Sequence, residues 1–267
     1  MANSYVSPTG GASTQDGLSA DTAYPFSSIA SAESDAGTGG IVYFVDGTYT
    51  ISSSSTFLTD PGITYKSLTR HGAKFTTTNL AGGHTIYFGQ TSATGASQIV
   101  DGLVFENLRF GIYANVKPTI QFCKFESNAD LSMGEYIFVN GGSAGYNFYN
   151  NSITTSFTGT VNLFYLSQSS SFERNSFHFG NSNATSLGAN LPTSGMKNNI
   201  WMTTDASKSS LNIASASSYS CFFQAGSSNT SGGSNNLFAQ DPQFVDPTNG
   251  DLRLRPNSPC INAGTAS

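Results

Sequence analysis

Three phrases in the chain recur at a fixed step: Phe148-Tyr149-Asn150-Asn151-Ser152-Ile153, Phe172-Glu173-Arg174-Asn175-Ser176-Phe177 and Met196-Lys197-Asn198-Asn199-Ile200-Trp201. Each reads apolar, two variable residues, Asn, one variable residue, apolar, and the Asn positions 151, 175 and 199 lie 24 residues apart. A fixed period of this length marks a repeat architecture, in which each unit buries its apolar face only against its neighbours. Apolar residues on both sides of a polar turn former describe two short strands joined by a bend. The chain is therefore expected to be all-β, a single-stranded parallel β-helix (a solenoid) of about eight coils. In such a stack Phe148, Phe172 and Met196 form one inward column, and Ile153, Phe177 and Trp201 form another. Asn151, Asn175 and Asn199 become a structural ladder of amides that hydrogen-bond along the column.

The rest of the chain fits this frame. Ile41–Ile51 is a β-branched and aromatic run around the turn dipeptide Asp46-Gly47, and it reads as the first full coil. Residues 1–40 hold an initial strand near Tyr5 and one short helix. That helix is expected to be capped by Asp21 or Thr22, with Pro25 in its first turn and Phe26, Ile29 and Ala30 as its apolar face. Its task is to cover the end of the stack, which would otherwise expose an open sheet edge. Residues 41–240 form the coils and 241–267 a closing segment, in one structural domain. Carrying the repeat backwards places Leu108 and Cys123 in the Asn column, Phe105 over Ile120, and Phe110 over Phe125.

Only 10% of the 267 residues are charged, well below the quarter usual for globular proteins. The formal net charge is -5, so a phosphate backbone would be repelled and nucleic acid is not an expected partner. No run approaches the roughly 20 apolar residues of a membrane span. Three cysteines at wide spacing, Cys123, Cys221 and Cys260, make no disulfide framework and match no zinc site. The segment Met1–Pro8 has neither the basic nor the apolar region of a secretory signal. The expected setting is a virion surface, or an extracellular one reached after a signal has been removed.

The two ends carry a more specific pattern. Tyr5-Val-Ser-Pro-Thr-Gly-Gly11, Asp16–Ile29 and Ile41–Thr50 resemble the opening of right-handed parallel β-helix proteins of the pectate-lyase-like superfamily. Asn235–Gly264, through Asp246-Pro-Thr-Asn-Gly250 and Ser258-Pro-Cys-Ile-Asn-Ala-Gly264, resembles the closing segment of the same group. The resemblance implies the fold strongly and the activity weakly, because that superfamily spans lyases, glycoside hydrolases, adhesins and phage tailspikes.

Two constellations are candidates for function. The register above stacks Arg109 on Lys124, with Glu106 and Glu126 beside them, which gathers two cations and two acids on one outer face. These four are the best catalytic candidates, because a polysaccharide lyase needs a basic side chain as base and cations to neutralise a uronate. The second constellation is an outward column of Glu106, Gln121, Tyr149, Glu173 and Lys197, whose aromatic and polar groups suit carbohydrate binding. A hydrolase pair is not legible: no paired carboxylates stand out, and His71, His84 and His178 share no column with an acid. No metal is expected, with calcium as the one reservation. The turn Asp246–Asp251 and the loop Glu126–Glu135 offer oxygens, without the spacing of a calcium loop.

The leading expectation is a structural or host-glycan-binding surface appendage of a virion, as a phage carries, rather than an enzyme. Its partners would be a polysaccharide or host cell surface and other virion proteins. The family analogy adds a homotrimer. The rivals are a polysaccharide lyase or glycoside hydrolase acting on an acidic glycan, and a secreted bacterial adhesin.

Overall fold

The computed structural model describes the chain except residues 1, 12–15, 59, 81–83, 91–94, 129–134, 140–143, 157–161, 166–170, 181–194, 205–216, 225–232 and 266–267. The described residues form a parallel β-solenoid with one α-helix, Ile29–Ala36, near the N-terminus. That helix is too short to cross a membrane. Among the described residues three sheets run along the stack. Sheet A has ten strands, from Tyr24–Pro25 and Asn3–Ser7 to Ser217–Ser218. Sheet B has nine, from Gly47–Thr50 to Leu237–Phe238, and sheet C has five, from Ser55–Leu58 to Asn162–Tyr165. Five coils are thus closed on all three sides among the described residues, fewer than the eight expected, while sheets A and B continue past them.

Alternation along each strand sends every second side chain inward. On sheet A the inward column runs Val42, Tyr65, Val100, Ile120, Phe148, Phe172, Met196. On sheet B it runs Tyr49, Phe75, Phe105, Phe125, Ile153, Phe177, Trp201, Phe222. These residues are at most 2% exposed, and their rings stack from coil to coil, as Phe148 on Phe172 at 5.2 Å and Phe177 on Trp201 at 3.8 Å. Both columns expected around the 24-residue repeat are present. The earlier register is not: Phe105 pairs with Phe125, Ile120 with Phe148, and Phe110 with Ile137 and Ile86.

The corner from sheet A to sheet B explains the repeated phrase. One residue adopts a left-handed conformation, and the next turns inward to begin sheet B. The left-handed positions are Gly102, Phe122, Asn150, Arg174, Asn198, Tyr219 and Asn235, with φ between 51° and 71°. Asn tolerates this conformation better than most residues do. The inward position carries the ladder. Asn151 Oδ1 accepts from the Cys123 N–H, Asn175 Oδ1 from the Asn151 N–H, and Asn199 Oδ1 from the Asn175 N–H, at 2.9–3.0 Å. Their Nδ2 groups donate to the carbonyls of Ile120, Phe148 and Phe172. Ser220 and Asn236 continue the ladder towards the C-terminus.

Both ends of the chain depart from expectation. The helix begins at Ile29, not near Asp21, because Tyr24 and Pro25 pair as a strand with Val6 and Ser7. A 3-10 turn, Phe26–Ser28, leads into it, and its buried residues are Ala32, Glu33 and Ala36, while Ala30 is exposed. Phe26 still packs edge-on against Phe44, Tyr49 and Phe75, which closes the core. At the other end, strands Phe244–Asp246 and Asp251–Leu254 form an antiparallel hairpin. This hairpin lies on the outer face of sheet B, where Phe244 and Leu252 pack with Met202, Ile200 and Phe223.

Candidate functional site

The hairpin creates a site by standing next to the A–B corner. Between them opens a cleft of about 510 Å³. The corner contributes Arg70, His71, Phe122, Asn150 and Arg174; the start of sheet B contributes Lys124, Ser152 and Ser176; the hairpin contributes Asn249–Arg253. Arg70, Lys124, Arg174 and Arg253 are four of the chain's 11 Lys and Arg residues, and Asp251 is the one lining carboxylate. The surroundings of each cation differ. The Arg70 guanidinium lies 4.4 Å over the Phe122 ring, a contact with a ring face that leaves its N–H donors for other partners. Lys124 Nζ donates to Glu126 Oε1 at 2.7 Å. Arg253 grips Asp251 with two parallel bonds, 2.8 and 2.6 Å, which hold that carboxyl down at about pKa 2. Arg174, itself in the left-handed conformation, reaches over the Tyr149 ring at 5.9 Å.

His71 sits at the mouth. Its Nε2–H donates to the Phe122 carbonyl at 2.7 Å, since a carbonyl only accepts. Loss of water in the cleft lowers its pKa, and Lys124 and Arg70 add to this against the carbonyl bond. His71 therefore stays neutral at pH 7 and gains charge only in acid. The other two histidines are architectural. Nδ1 of His84 bonds the Ile51 carbonyl and Thr77, and His178 lies buried beneath the hairpin against Pro247.

The structure separates the four catalytic candidates. Arg109 does not stack on Lys124. It belongs to sheet C, pairs with Thr85, and lies over the Phe138 ring at 4.6 Å. Glu106, Lys124 and Glu126 do share sheet B, with Glu106 beside Glu126 and Lys124 beside Val104. Each acid meets a lysine: Lys74–Glu106 at 3.5 Å and Lys124–Glu126 at 2.7 Å. The hairpin tip divides them from the basic cleft, because Gly250 stands over Lys124 and Glu126 while both acids line a smaller recess beyond it. A side chain at Gly250 would meet Glu126 Oε1 at 2.9 Å, at a φ of +76°.

The expected outward column is present on sheet A for Gln121, Tyr149, Glu173 and Lys197. Glu106 is not part of it; Asp101 holds that place, with Lys66 next. Ion pairs Lys66–Asp101 and Lys197–Glu173, at 3.5 and 3.6 Å, run along the column. Arg174 over Tyr149 joins the column to the cleft.

For calcium, the turn Asp246–Asp251 is already committed. Asp246 accepts from the Asn249 backbone and side chain, and Asp251 holds Arg253. The loop Glu126–Glu135 lies mostly outside the described residues. Among the described residues, no three His, Cys, Asp or Glu side chains converge to hold a metal.

Arg70, His71, Arg174 and Arg253 were missed as a site in the sequence because they come from three distant segments. Their one sequence signal is the periodic corner: positions 122, 150 and 174 share a column, and side chains there line whatever stands beside it. No family model, no curated protein and no solved structure matches the chain.

Proposed function

We propose that this solenoid is a glycan-binding surface protein whose basic cleft takes the acidic group of a polysaccharide. The observation that carries this reading is the gathering of Arg70, Lys124, Arg174 and Arg253 around one cleft in a chain of net charge -5. Guanidinium groups bind carboxylate and sulfate with paired, charge-assisted hydrogen bonds. Tyr149 and Gln121, on the sheet beside the cleft, offer a ring face and an amide to the next sugar. A rod-shaped stack with paired backbone groups suits a virion appendage exposed to proteases. Membership of the pectate-lyase-like superfamily, and a homotrimeric assembly with other virion proteins, belong to the same reading. Capsid or tail genes beside this one would support the virion setting, and a monomer in sedimentation at micromolar concentration would remove the trimer.

A polysaccharide lyase is the second reading, favoured by one feature: the His71 imidazole and the Lys124 amine stand among cations able to neutralise a uronate. One experiment addresses both. Uronate and sulfated polymers are titrated against the protein while the absorbance of an unsaturated product is followed. The expected result is binding that weakens with salt, falls about tenfold in Arg70→Ala and in Arg174→Ala, and leaves the polymer intact. Product formation abolished by Lys124→Ala would replace the binding reading with the lyase. Binding indifferent to all three substitutions would remove the cleft from either.

A further inference from the structure

We propose that Cys221 and Cys260 are a disulfide-forming pair, which staples the closing segment to the solenoid when the protein meets an oxidising disulfide such as glutathione disulfide. Cys221 opens the strand Cys221–Gln224 on sheet B and is 3% exposed. Cys260 lies 39 residues later, on the tail that follows the hairpin, and is half-buried. Both line one recess of about 370 Å³ between the A–B corner and the tail. The two thiols are neighbours there: each is the group that most perturbs the other's ionisation, while the Cys221 S–H also points at the Gln240 carbonyl, 3.5 Å away.

The tail is held in register for this pairing at points on either side. Ser258 Oγ donates to the Pro242 carbonyl at 2.5 Å and accepts from the Cys260 N–H at 3.1 Å. Beyond Cys260, Thr265 exchanges two hydrogen bonds with the Asn198 side chain, at 2.9 and 3.1 Å. The third thiol is elsewhere: Cys123 is 1% exposed in the ladder, its S–H directed at the Gln121 carbonyl. A pair of neighbouring thiols that share one recess and come from two separately anchored segments is the arrangement from which a disulfide forms.

The chemistry balances with the oxidant named. Cys260 is the attacking group, being the more accessible, and the neighbouring Cys221 side chain holds its thiol below the usual range. It attacks one sulfur of glutathione disulfide, forms a mixed disulfide and expels one glutathione thiolate, which takes up a proton. The Cys221 thiol then loses its proton and attacks Cys260 Sγ, which expels the second glutathione. Two protein thiols are oxidised by two electrons, and one glutathione disulfide becomes two glutathione thiols.

The closing segment also supplies Asn249–Arg253, one wall of the basic cleft, so the staple would fix that wall. Only this consequence rests on the glycan reading, and the test does not use it. The purified protein is incubated with glutathione disulfide or with a reductant, alkylated, digested without reduction and analysed by mass, with thermal unfolding measured in parallel. The expected result is a linked peptide joining Cys221 to Cys260, Cys123 alkylated only after unfolding, and a Tm about 5 °C or more above that of the reduced protein. Cys123→Ser keeps the rise, whereas Cys221→Ser and Cys260→Ser each lose it. Cys260→Ser serves should the buried Cys221 variant fail to fold. Two alkylatable thiols after prolonged oxidation would overturn the proposal. So would a mixed disulfide that stops at Cys260, or a link through Cys123.

Discussion

At the scale of single residues, the ladder asparagines carry more of the architecture than their count suggests. Asn175 is fully buried, and its side chain meets four groups: Asn151 N–H and Nδ2, the Phe148 carbonyl, and Asn199 Oδ1. Asn175→Leu nearly keeps the volume but leaves those groups without partners in a dry interior. The expected cost is on the order of 2–4 kcal/mol in chemical denaturation, more than a lone hydrogen bond, because the ladder members polarise one another. A loss below about 1 kcal/mol would mean that the amides merely fill space. The same residues show what was legible in the sequence. Asn151, Asn175 and Asn199 gave a correct register wherever coils have equal length. The reading failed at Phe105–Phe110 because Asn107, with φ 52°, and the buried Leu108 repeat the corner chemistry at a different corner, from sheet B to sheet C. A left-handed residue followed by an inward one looks alike in sequence at either corner. This ambiguity moved Arg109 onto the wrong sheet and produced a charge patch that does not exist as a unit.

At the scale of elements, the N-terminal helix holds a titratable group against the core. Glu33 is 7% exposed and accepts a 2.6 Å bond from the Tyr65 hydroxyl. Burial pushes its carboxyl up to about 7, against the pull of Tyr65 and with a further push from Asp60. The folded state then holds a proton that the unfolded chain releases near the ordinary glutamate value of 4.5. Its contribution to stability is complete below that value and is lost as pH rises towards and through 7. The loss is on the order of 2 kcal/mol once partial solvation is allowed for. Denaturation midpoints of the natural protein and Glu33→Gln between pH 4.5 and 7.5 isolate this term. The difference between them is expected to shift in favour of the variant as pH rises, and a constant difference would contradict it. The helix start was misplaced because Pro25 suits a first helical turn, yet pairing of Tyr24 and Pro25 with the first strand wins over that local preference. The closing segment was recognised, but not its position on the flank of sheet B, since apolar positions such as Met202 and Phe223 read the same whether a hairpin or solvent lies above them.

At the scale of the whole molecule, a solenoid is a chain of nearest-neighbour interfaces, and damage should stay local. Trp201 tests this, being the one tryptophan, fully buried, stacked on Phe177 at 3.8 Å and followed by Phe222 at 6.5 Å. Trp201→Ala removes the largest ring of the column and leaves a void between two coils, at a cost of about 3–5 kcal/mol. In a globular core that cost would be shared by every amide. Here the expected hydrogen-exchange pattern is graded. Amides of Ile200–Thr203, Cys221–Gln224 and Leu237–Phe238 lose protection first. The Phe44–Tyr49–Phe75–Phe105 end, closed by Phe26 and the helix, exchanges as before. The hairpin adds a second readout, because Phe244 and Leu252 rest on Met202, the neighbour of Trp201. Loosening of that strand should carry the Asn249–Arg253 wall with it, so acidic-polymer binding should weaken in Trp201→Ala although the residue lies outside the cleft. Uniform loss of protection along the whole stack would instead make the molecule a single cooperative unit, in which the cleft and the N-terminal cap stand or fall together.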